Sequence, residues 1–333
     1  MAARKTSFIA SLPKAELHLH LEGSIEPATL LELQQRHGSM GTLEQVEKLY
    51  RYSDFRGFLM AFKDVIEWLR TPEDYELITY RLMEQLKTQN VLHAEVFVSV
   101  GVNLWRKQDF IALFEGLDRG RVRGEQDFGV SLLWIFDAVR QFGTEPAQRV
   151  AELAAGFRDR AVVGFGIGGD ERQGAPELFR DVFAFAAKQG LHLTAHAGET
   201  GGPESIWGAL NLKAERIGHG FTAATDPELI EQLAERQVPV EICITSNVRT
   251  GVCAKLEDHP VRQYFDEGLM ITLNTDDPAM FKTSLIGEFE QVQQVYGFSD
   301  EQLRELARNS FEASFLPPAK KLEFLRLIDS EVV

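Results

Sequence analysis

Short apolar segments alternate with longer helical patterns along this chain. Each segment is a nearly continuous run of β-branched and aliphatic residues, which is typical of strands buried on both faces of a sheet. Eight strands are predicted in this way, at residues 16–21, 91–100, 130–136, 162–167, 191–196, 216–219, 238–245 and 269–274. Helical periodicity lies between several of them, as at residues 176–189, 204–211 and 226–237.

Strands that alternate with helices predict a parallel sheet, because a parallel neighbour needs a crossover connection and a helix supplies it. Eight such units predict an α/β fold of the (β/α)8 type, the TIM barrel, with one domain over residues 1–333. A barrel of this kind can hold all 333 residues around one core. The strand count depends on the second and third strands, whose patterns are the weakest, and an open doubly wound sheet is the alternative.

Two additions to a minimal barrel are predicted. Residues 23–90 are long for one strand-to-helix connection, and residues 54–69 within them have apolar side chains at helical spacing. The commoner interpretation is an amphipathic helix that packs on the core. The sharper one is an apolar lid over a pocket at the carboxyl ends of the strands, made by Phe55, Phe58, Leu59 and Phe62. Residues 299–327 predict terminal helices, with a break at Pro317 and Pro318.

The composition is that of a folded protein and argues against several functions. Hydrophobic residues make up 44% of the chain, and 35 Lys and Arg against 50 Asp and Glu give a net charge of −15. Such an acidic surface repels phosphate backbones, so nucleic-acid binding is not expected. Two cysteines exclude a disulfide framework, and no apolar run is long enough for a membrane span. A cytoplasmic protein is therefore expected.

The strongest local signal for chemistry is the pair His18 and His20. Residues two apart on a strand point to the same side, so both imidazoles can face one point at the mouth of a barrel. Two imidazoles on one face are natural ligands for zinc or a similar metal. Taken alone, such a pair is more often structural.

Other polar residues lie where later strands end. His196 ends the fifth strand and Glu199 follows it, His219 ends the sixth strand between two glycines, and Asp276 and Asp277 follow the eighth. Active sites of barrels are built at this end, and three histidines with one aspartate leave a coordination position open for water. The other histidines have no such setting and are interpreted as structural or surface residues: His37, His93, His192 and His259.

Six short motifs then carry a resemblance. They are LPKAELHLHLEGSIEP at 12–27, GGDE at 168–171, HAGE at 196–199, RIGHG at 216–220, TSN at 245–247 and NTDDP at 274–278. In this order they resemble the adenosine deaminase family of the metal-dependent amidohydrolase superfamily, over nearly the whole chain. The resemblance implies one hydrolase domain that replaces the C6 amino group of a 6-aminopurine nucleoside by oxygen, with water and the nucleoside as its small-molecule partners and ammonia released.

The resemblance also implies roles for individual residues. One catalytic Zn²⁺ per chain would be held by His18, His20, His196 and Asp276. Glu199 would protonate purine N1, and His219 would orient the metal's water and take its proton. Asp277 would meet N7, the backbone of Gly169 would meet N3, and the predicted lid would be an apolar gate at Phe55, Phe58, Leu59 and Phe62.

Two departures concern the substrate. Glu22 stands where adenosine deaminases commonly have Asp against the ribose 5′-hydroxyl, and Arg249 is expected near the mouth, either as a surface residue or as a partner for an anionic substituent. The main expectation is adenosine or deoxyadenosine. The alternative is 6-aminodeoxyfutalosine, an adenosine analogue with a benzoate on its 5′ side, whose carboxylate could also meet Arg140 or Arg172. An adenine deaminase, a two-metal amidohydrolase with Asp170 or Glu171 as the bridge, and a binding protein without activity are less favoured.

Overall fold

Eight parallel strands form the centre of the fold. A computed structural model describes residues 8–52 and 55–330 of the chain. Each strand pairs with the next one in the sequence, in the order β1 to β8. Their bounds are β1 Lys14–His20, β2 Val91–Val98, β3 Ser131–Val139, β4 Val162–Gly168, β5 His192–Ala197, β6 Arg216–His219, β7 Val240–Ile242 and β8 Ile271–Leu273.

The sheet closes on itself between the last and the first strand. Leu19 in β1 forms a parallel bridge with Asp276, just after β8. The His20 N–H donates to the Asp276 carbonyl at 2.8 Å, and the Asp276 N–H donates to the His18 carbonyl at 3.1 Å. The predicted (β/α)8 barrel is therefore confirmed, and the open sheet is not formed.

Helices surround the barrel and extend the connection after β1. Four lie between β1 and β2, and the terminal ones follow β8. Their bounds are α1 Pro27–Arg36, α2 Leu43–Leu49, α3 Phe55–Ile66, α4 Pro72–Thr88, α5 Val100–Trp105, α6 Phe110–Phe128, α7 Thr144–Gly156, α8 Arg180–Lys188, α9 Pro203–Asn211, α10 Pro227–Arg236, α11 Ile244–Arg249, α12 Val261–Asp266, α13 Pro278–Phe281, α14 Leu285–Tyr296, α15 Asp300–Glu312 and α16 Pro318–Ser330.

Local signals explain where several helices begin and end. Thr71 and Ser299 cap α4 and α15 in capping boxes, and Pro72 occupies the first turn of α4, where its missing N–H costs nothing. The predicted break at the two prolines falls between α15 and α16. No helix in the described part of the chain has the length and apolar character needed to cross a membrane.

The strand predictions differ most at β7 and β3. The apolar run at 238–245 continues past Ile242 into α11, because a buried helix and a buried strand share the same composition. The run at 130–136 was bounded by a polar residue, Asp137, yet β3 continues through it to Val139. The Asp137 carboxylate points into the barrel mouth, where it lines the cavity described below.

A buried ion array fills part of the barrel interior. The Arg216 guanidinium lies between Glu95 and Glu241, with its Nε 2.6 Å from Glu241 Oε1. Burial acts to raise the pKa of Glu95, but the charge of Arg216 and the hydrogen bond from His93 bring this pKa down to about 2. The array links β2, β6 and β7 beneath the mouth of the barrel, and it ends on a histidine of β1.

Candidate active site

Four side chains converge at the carboxyl ends of the strands. His18, His20, His196 and Asp276 each offer one ligand atom, and these atoms all lie within 4.8 Å of one another. The Nε2 atoms of His20 and His196 are 3.1 Å apart. Asp276 Oδ1 lies 3.3 Å from His20 Nε2 and 3.5 Å from His18 Nε2. The structure thus brings together all four residues that the resemblance names as metal ligands.

These separations suit one metal ion that is bound by all four residues. Zinc binds nitrogen at about 2.05 Å, so neighbouring ligand atoms of a tetrahedron lie about 3.3 Å apart. The three measured separations fall close to that value. His18 Nε2 is buried and makes no hydrogen bond, which is the expected state of a nitrogen reserved for a metal. Three imidazoles and a carboxylate form a borderline donor set, to which a water molecule would be added as the fifth ligand.

Two residues at the site have an unusual backbone conformation. Asp276 has φ 65° and His219 has φ 63°, the left-handed region that non-glycine residues rarely adopt. Such conformations cluster at functional sites, where the surrounding structure holds them in place. The second carboxylate oxygen of Asp276 accepts a hydrogen bond from the Ser246 hydroxyl at 2.6 Å. Asp276 is therefore fixed with Oδ1 toward the other three ligands.

A second carboxylate holds His18 from behind. His18 Nδ1 lies 2.7 Å from Glu241 Oε2, and both side chains are fully buried. A carboxylate only accepts, so Nδ1 carries the proton and Nε2 is left to bind metal. Arg216 in turn neutralises Glu241, which makes the buried ion array an outer support of the metal site.

Glu241→Gln is expected to weaken metal binding 10–100-fold, the usual loss when a group behind a ligand is changed. The amide keeps the shape but leaves Arg216 without one of its two carboxylates and offers His18 a weaker acceptor. The measurement is metal affinity by chelator competition. Glu215→Gln, a half-exposed carboxylate next to β6, serves as the matched control and should leave affinity unchanged. Equal affinities for all three proteins would contradict this supporting role.

Glu199 is placed to give a proton. It lines the cavity beside the four ligands, and its Oε2 is 3.7 Å from His219 Nε2. Burial raises the pKa of Glu199 to about 8, and the charges of Asp276 and Glu171 act in the same direction. A carboxyl group in this environment is protonated at neutral pH and can act as an acid.

Glu171 organises the loop that carries Glu199. Its two oxygens accept the backbone N–H groups of Gly198, Glu199, Thr200 and Gly201 at 2.8–3.2 Å. The hydroxyl of Ser205 donates to it as well. Because both oxygens are engaged, Glu171 is not available as a bridge between two metals. The described residues hold one group of His and Asp side chains with metal-binding geometry.

Asp277 presents a second carboxyl group to the cavity. Its Oδ1 is buried and has no hydrogen-bond partner. Burial raises the pKa of Asp277 well above its usual value, with Asp276 and Glu22 adding to the effect. Gly23 leaves the space for this carboxyl, since a Cβ at Gly23 would lie 1.8 Å from Asp277 Oδ1. A protonated Asp277 can donate to a ring nitrogen, which only accepts.

The insertion after β1 forms one wall of the cavity. Phe58, Leu59 and Phe62 of α3 line it, and the Phe58 ring packs 4.9 Å from that of Phe281. The cavity holds about 350 Å³ and also contains Gly169, whose φ is 92°. The predicted helix at 54–69 is thus α3, and it both packs on the core and covers the site. The side chain of Phe55 lies outside the described residues.

The two residues that depart from the family pattern lie apart from the cavity surface. Glu22 is 2% exposed, accepts the Ser99 N–H at 3.0 Å and does not line the cavity. Arg249 is exposed, with its guanidinium 5.9 Å from the centre of the Tyr52 ring. Arg140 is buried and donates to the carbonyl oxygens of Gly174 and His196. Arg172 lines a neighbouring groove instead.

Some residues at the site were not predicted from the sequence. His259, interpreted above as structural or surface, lies 3.1 Å from Asn247, which in turn lies 3.2 Å from His219. Asp137 lines the cavity, and burial raises its pKa to about 8. The TSN motif contains Asn247 and was the only available signal. Nothing local marks His259, because its partner is reached through the fold.

Comparison with known proteins agrees with this geometry. The chain matches the family model described as adenosine deaminase over residues 13–331. It is 38% identical over 330 residues to an aminodeoxyfutalosine deaminase of Streptomyces coelicolor, which covers 97% of this chain and 85% of the relative.

Solved structures agree as well. The crystal structure of an adenine deaminase from Arthrobacter aurescens matches with a TM-score of 0.91 and 32% identity, over 96% of this chain and 99% of that one. An amidohydrolase from Burkholderia ambifaria, crystallised with bound Zn, matches with a TM-score of 0.91 and 26% identity, over 99% of this chain and 93% of that one. The resemblance drawn from the six motifs is confirmed, as is the prediction of a deaminase that hydrolyses C–N bonds: the chain belongs to the adenosine deaminase family.

Proposed function

We propose that this chain deaminates a purine nucleoside that carries an aromatic acid on its 5′ side, a compound of the 6-aminodeoxyfutalosine type. The observation that carries the proposal is the similarity to an aminodeoxyfutalosine deaminase, at 38% identity along 97% of the chain. This was the alternative to adenosine in the reading of the sequence, and the comparison favours it over adenosine itself.

The cavity supports a nucleoside without phosphate. None of the described residues that line the cavity is Lys or Arg. Five of the lining residues are acidic, namely Asp137, Asp170, Glu199, Asp276 and Asp277. A phosphate would lie among carboxyl groups with no cation to pair with it, which is unfavourable. A cavity of about 350 Å³ is within the ordinary range for small ligands, and the purine base would reach its deep end.

A neighbouring groove supports an aromatic substituent. Phe142 lines both the cavity and a groove of about 820 Å³ that also contains Trp105. The two rings are nearly parallel, with centroids 5.8 Å apart, and Trp105 is 62% exposed. An exposed, oriented tryptophan beside an active site is suited to stacking on a ring of the substrate. Arg149 lines the same groove, where it pairs with Glu152 at 3.1 Å, and it would exchange that partner for the substrate's carboxylate.

The side chains at the deep end account for the reaction on the base. The resident metal, for which zinc is proposed, would supply the acidified water at neutral pH. Glu199 gives its proton to N1 as the water adds to C6, Asp277 donates to N7, and the Gly169 N–H binds N3. The amino group then leaves C6 as ammonia. The walls of the cavity, α3 among them, exclude bulk water during these steps.

An adenine deaminase is the second candidate. It is favoured by the structural match to the enzyme from Arthrobacter aurescens and by Glu22, which adenine deaminases of this family share. The motifs RIGHG and NTDDP favour a nucleoside, because adenine deaminases usually have RIDHG and NSDDP. The groove beside Trp105 would have no use in binding free adenine.

The test compares kcat/KM for 6-aminodeoxyfutalosine, adenosine, 2′-deoxyadenosine and adenine. We expect the first to exceed the others by at least about 10-fold, since one aromatic contact contributes about 0.5–1.5 kcal/mol and a charged hydrogen bond about 1.5–3 kcal/mol. Trp105→Ala should lower kcat/KM for 6-aminodeoxyfutalosine about 5–10-fold and leave adenosine within twofold. Leu178→Ala, an equally exposed apolar residue, is the control. Adenine as the best substrate would overturn the proposal in favour of the second candidate.

A further inference from the structure

A chain of hydrogen bonds runs from a backbone N–H to His219. The Val261 N–H donates to His259 Nδ1 at 3.2 Å, and His259 Nε2 lies 3.1 Å from Asn247 Oδ1. Asn247 Nδ2 lies 3.2 Å from His219 Nδ1. His259, Asn247 and His219 are 3%, 0% and 1% exposed, so water does not compete with these bonds.

The first bond fixes the direction of all the others. A backbone N–H can only donate, so His259 Nδ1 is an acceptor and the ring's proton is on Nε2. Burial also lowers the pKa of His259 to about 3, which keeps its ring neutral. Nε2–H then donates to Asn247 Oδ1, and the Asn247 NH2 group donates to His219 Nδ1. Turning the Asn247 amide over would leave His259 as an acceptor at both nitrogens, with no place for its proton.

The other nitrogen of His219 faces acceptors. Its Nε2 lies 3.7 Å from Glu199 Oε2 and 4.0 Å from Asp276 Oδ2. The rings of His18 and His196 pack against it, with centroids 4.9 and 5.4 Å away. A proton on Nε2 therefore points into the space between the acid and the metal ligands, where the attacking oxygen would be bound.

We propose that Asn247 and His259 are positioning residues that hold His219 with its proton on Nε2, so that His219 donates a hydrogen bond to the attacking water instead of removing its proton. This rests on the proposed deamination. It departs from the role that the family resemblance implies for His219, in which the imidazole takes the proton.

The protons balance without His219. Glu199 gives its proton to N1 and then takes one from the water as the C6–O bond forms. It passes that proton to the amino nitrogen, which leaves as ammonia when the C6–N bond breaks. Glu199 regains a proton from the C6 hydroxyl as the carbonyl forms. His219 keeps its Nε2–H throughout and stabilises the charge that develops on the oxygen.

Asn247→Asp separates the two roles of His219. The carboxylate has the shape of the amide but only accepts, so it still binds His259 Nε2–H and now draws the His219 proton to Nδ1. If His219 acts as a donor, kcat should fall by about 10²–10³, the cost of removing one donor to a developing charge, with KM within threefold. If His219 takes the water's proton, the variant should keep or raise kcat, and that result overturns the proposal.

Nitrogen NMR of the zinc-loaded, ¹⁵N-histidine-labelled protein reads the tautomer directly. The wild type should show a pyridine-type shift at His219 Nδ1 and a pyrrole-type shift at Nε2, and Asn247→Asp should exchange them. A pyrrole-type Nδ1 in the wild type overturns the proposal. This readout needs no substrate, so it decides the tautomer even if none of the 6-aminopurines is deaminated, an outcome that would reject only the proposed function.

Variants of His259 test the far end of the chain. His259→Gln keeps an N–H at the place of Nε2 and should retain most of kcat, whereas His259→Phe removes that donor and should lower kcat at least about 10-fold. His37→Phe is the matched control, since it breaks a histidine–carboxylate pair with Asp74 away from the cavity. Equal effects of His259→Gln and His259→Phe on kcat would show that His259 only fills space.

Discussion

Glu199→Gln should lower kcat by at least about 10² while the protein keeps its metal. The amide has the size of the acid and can still donate a hydrogen bond to N1, but it cannot deliver a proton. General acids contribute about 10²–10⁴ to rates. Retention of metal is expected because Glu199 is not among the four converging ligand atoms. The measurements are steady-state kinetics with the best 6-aminopurine and metal content by atomic absorption.

The pH dependence should identify the same group. Burial raises the pKa of Glu199 to about 8, and the protonated form is the active one. The value of kcat should therefore be at its maximum below pH 8 and fall as the pH rises through about 8. Glu199→Gln should not show this fall at alkaline pH. Glu204→Gln, an exposed glutamate at the start of α9, is the control. A loss of less than threefold in kcat for Glu199→Gln would mean that another group protonates N1.

The sequence was sufficient to predict the candidate metal ligands, because each of them lies at or near the end of a predicted strand. His18 and His20 lie on one strand face, His196 lies near the end of a strand whose pattern is plain, and Asp276 follows another such strand. Because all strands of a parallel barrel end at the same rim, their convergence could be deduced without coordinates. The closed barrel followed from the same alternation, although the third and seventh strands end at other residues than their apolar runs suggest.

The residues that hold the candidate metal ligands and His219 in place could not be predicted from the sequence. Glu241 and Arg216 have the appearance of ordinary strand residues, and only the barrel interior places them against His18. His259 reaches His219 through Asn247 because a turn before α12 returns it to the mouth of the barrel. The left-handed backbone of His219 and Asp276 is likewise imposed by packing. Local patterns carry no information about such distant partners.

Burial sets the chemistry of the acids, and burial is also a property of the fold. Glu199, Asp277 and Asp137 are ordinary carboxylates in the sequence, yet each has a raised pKa because it is enclosed. The pKa of Glu171, two residues after Gly169, is lowered instead. Although its burial acts to raise the pKa, the hydrogen bonds from Ser205 and the loop lower it. The mouth of the barrel thus holds carboxyl groups with raised pKa values beside a carboxylate with a lowered pKa that anchors the loop.

His196→Ala should abolish metal binding and activity together. The variant removes one of three imidazoles, and a site with two imidazoles and one carboxylate holds zinc far more weakly. When bound, the metal would supply an acidified water, whose pKa falls from about 15.7 to about 7 on zinc. Without it the nucleophile at neutral pH is scarce, so kcat/KM should fall by about 10³ or more. Metal content after dialysis and ammonia release are the two measurements.

His192→Ala is the matched control for this loss, since His192 begins the same strand, at the opposite end of the barrel from the four converging ligands. Its Nδ1 pairs with Glu215 at 2.9 Å, and its ring stacks on Phe315. An exposed pair of this kind contributes at most about 1 kcal/mol to stability, so the control should keep its metal and its rate. If His196→Ala instead retained one metal per chain and most of its kcat/KM, the ion would have to be held without β5. The separation of 3.1 Å between His20 and His196 would then need another cause, such as one imidazole that donates to the other.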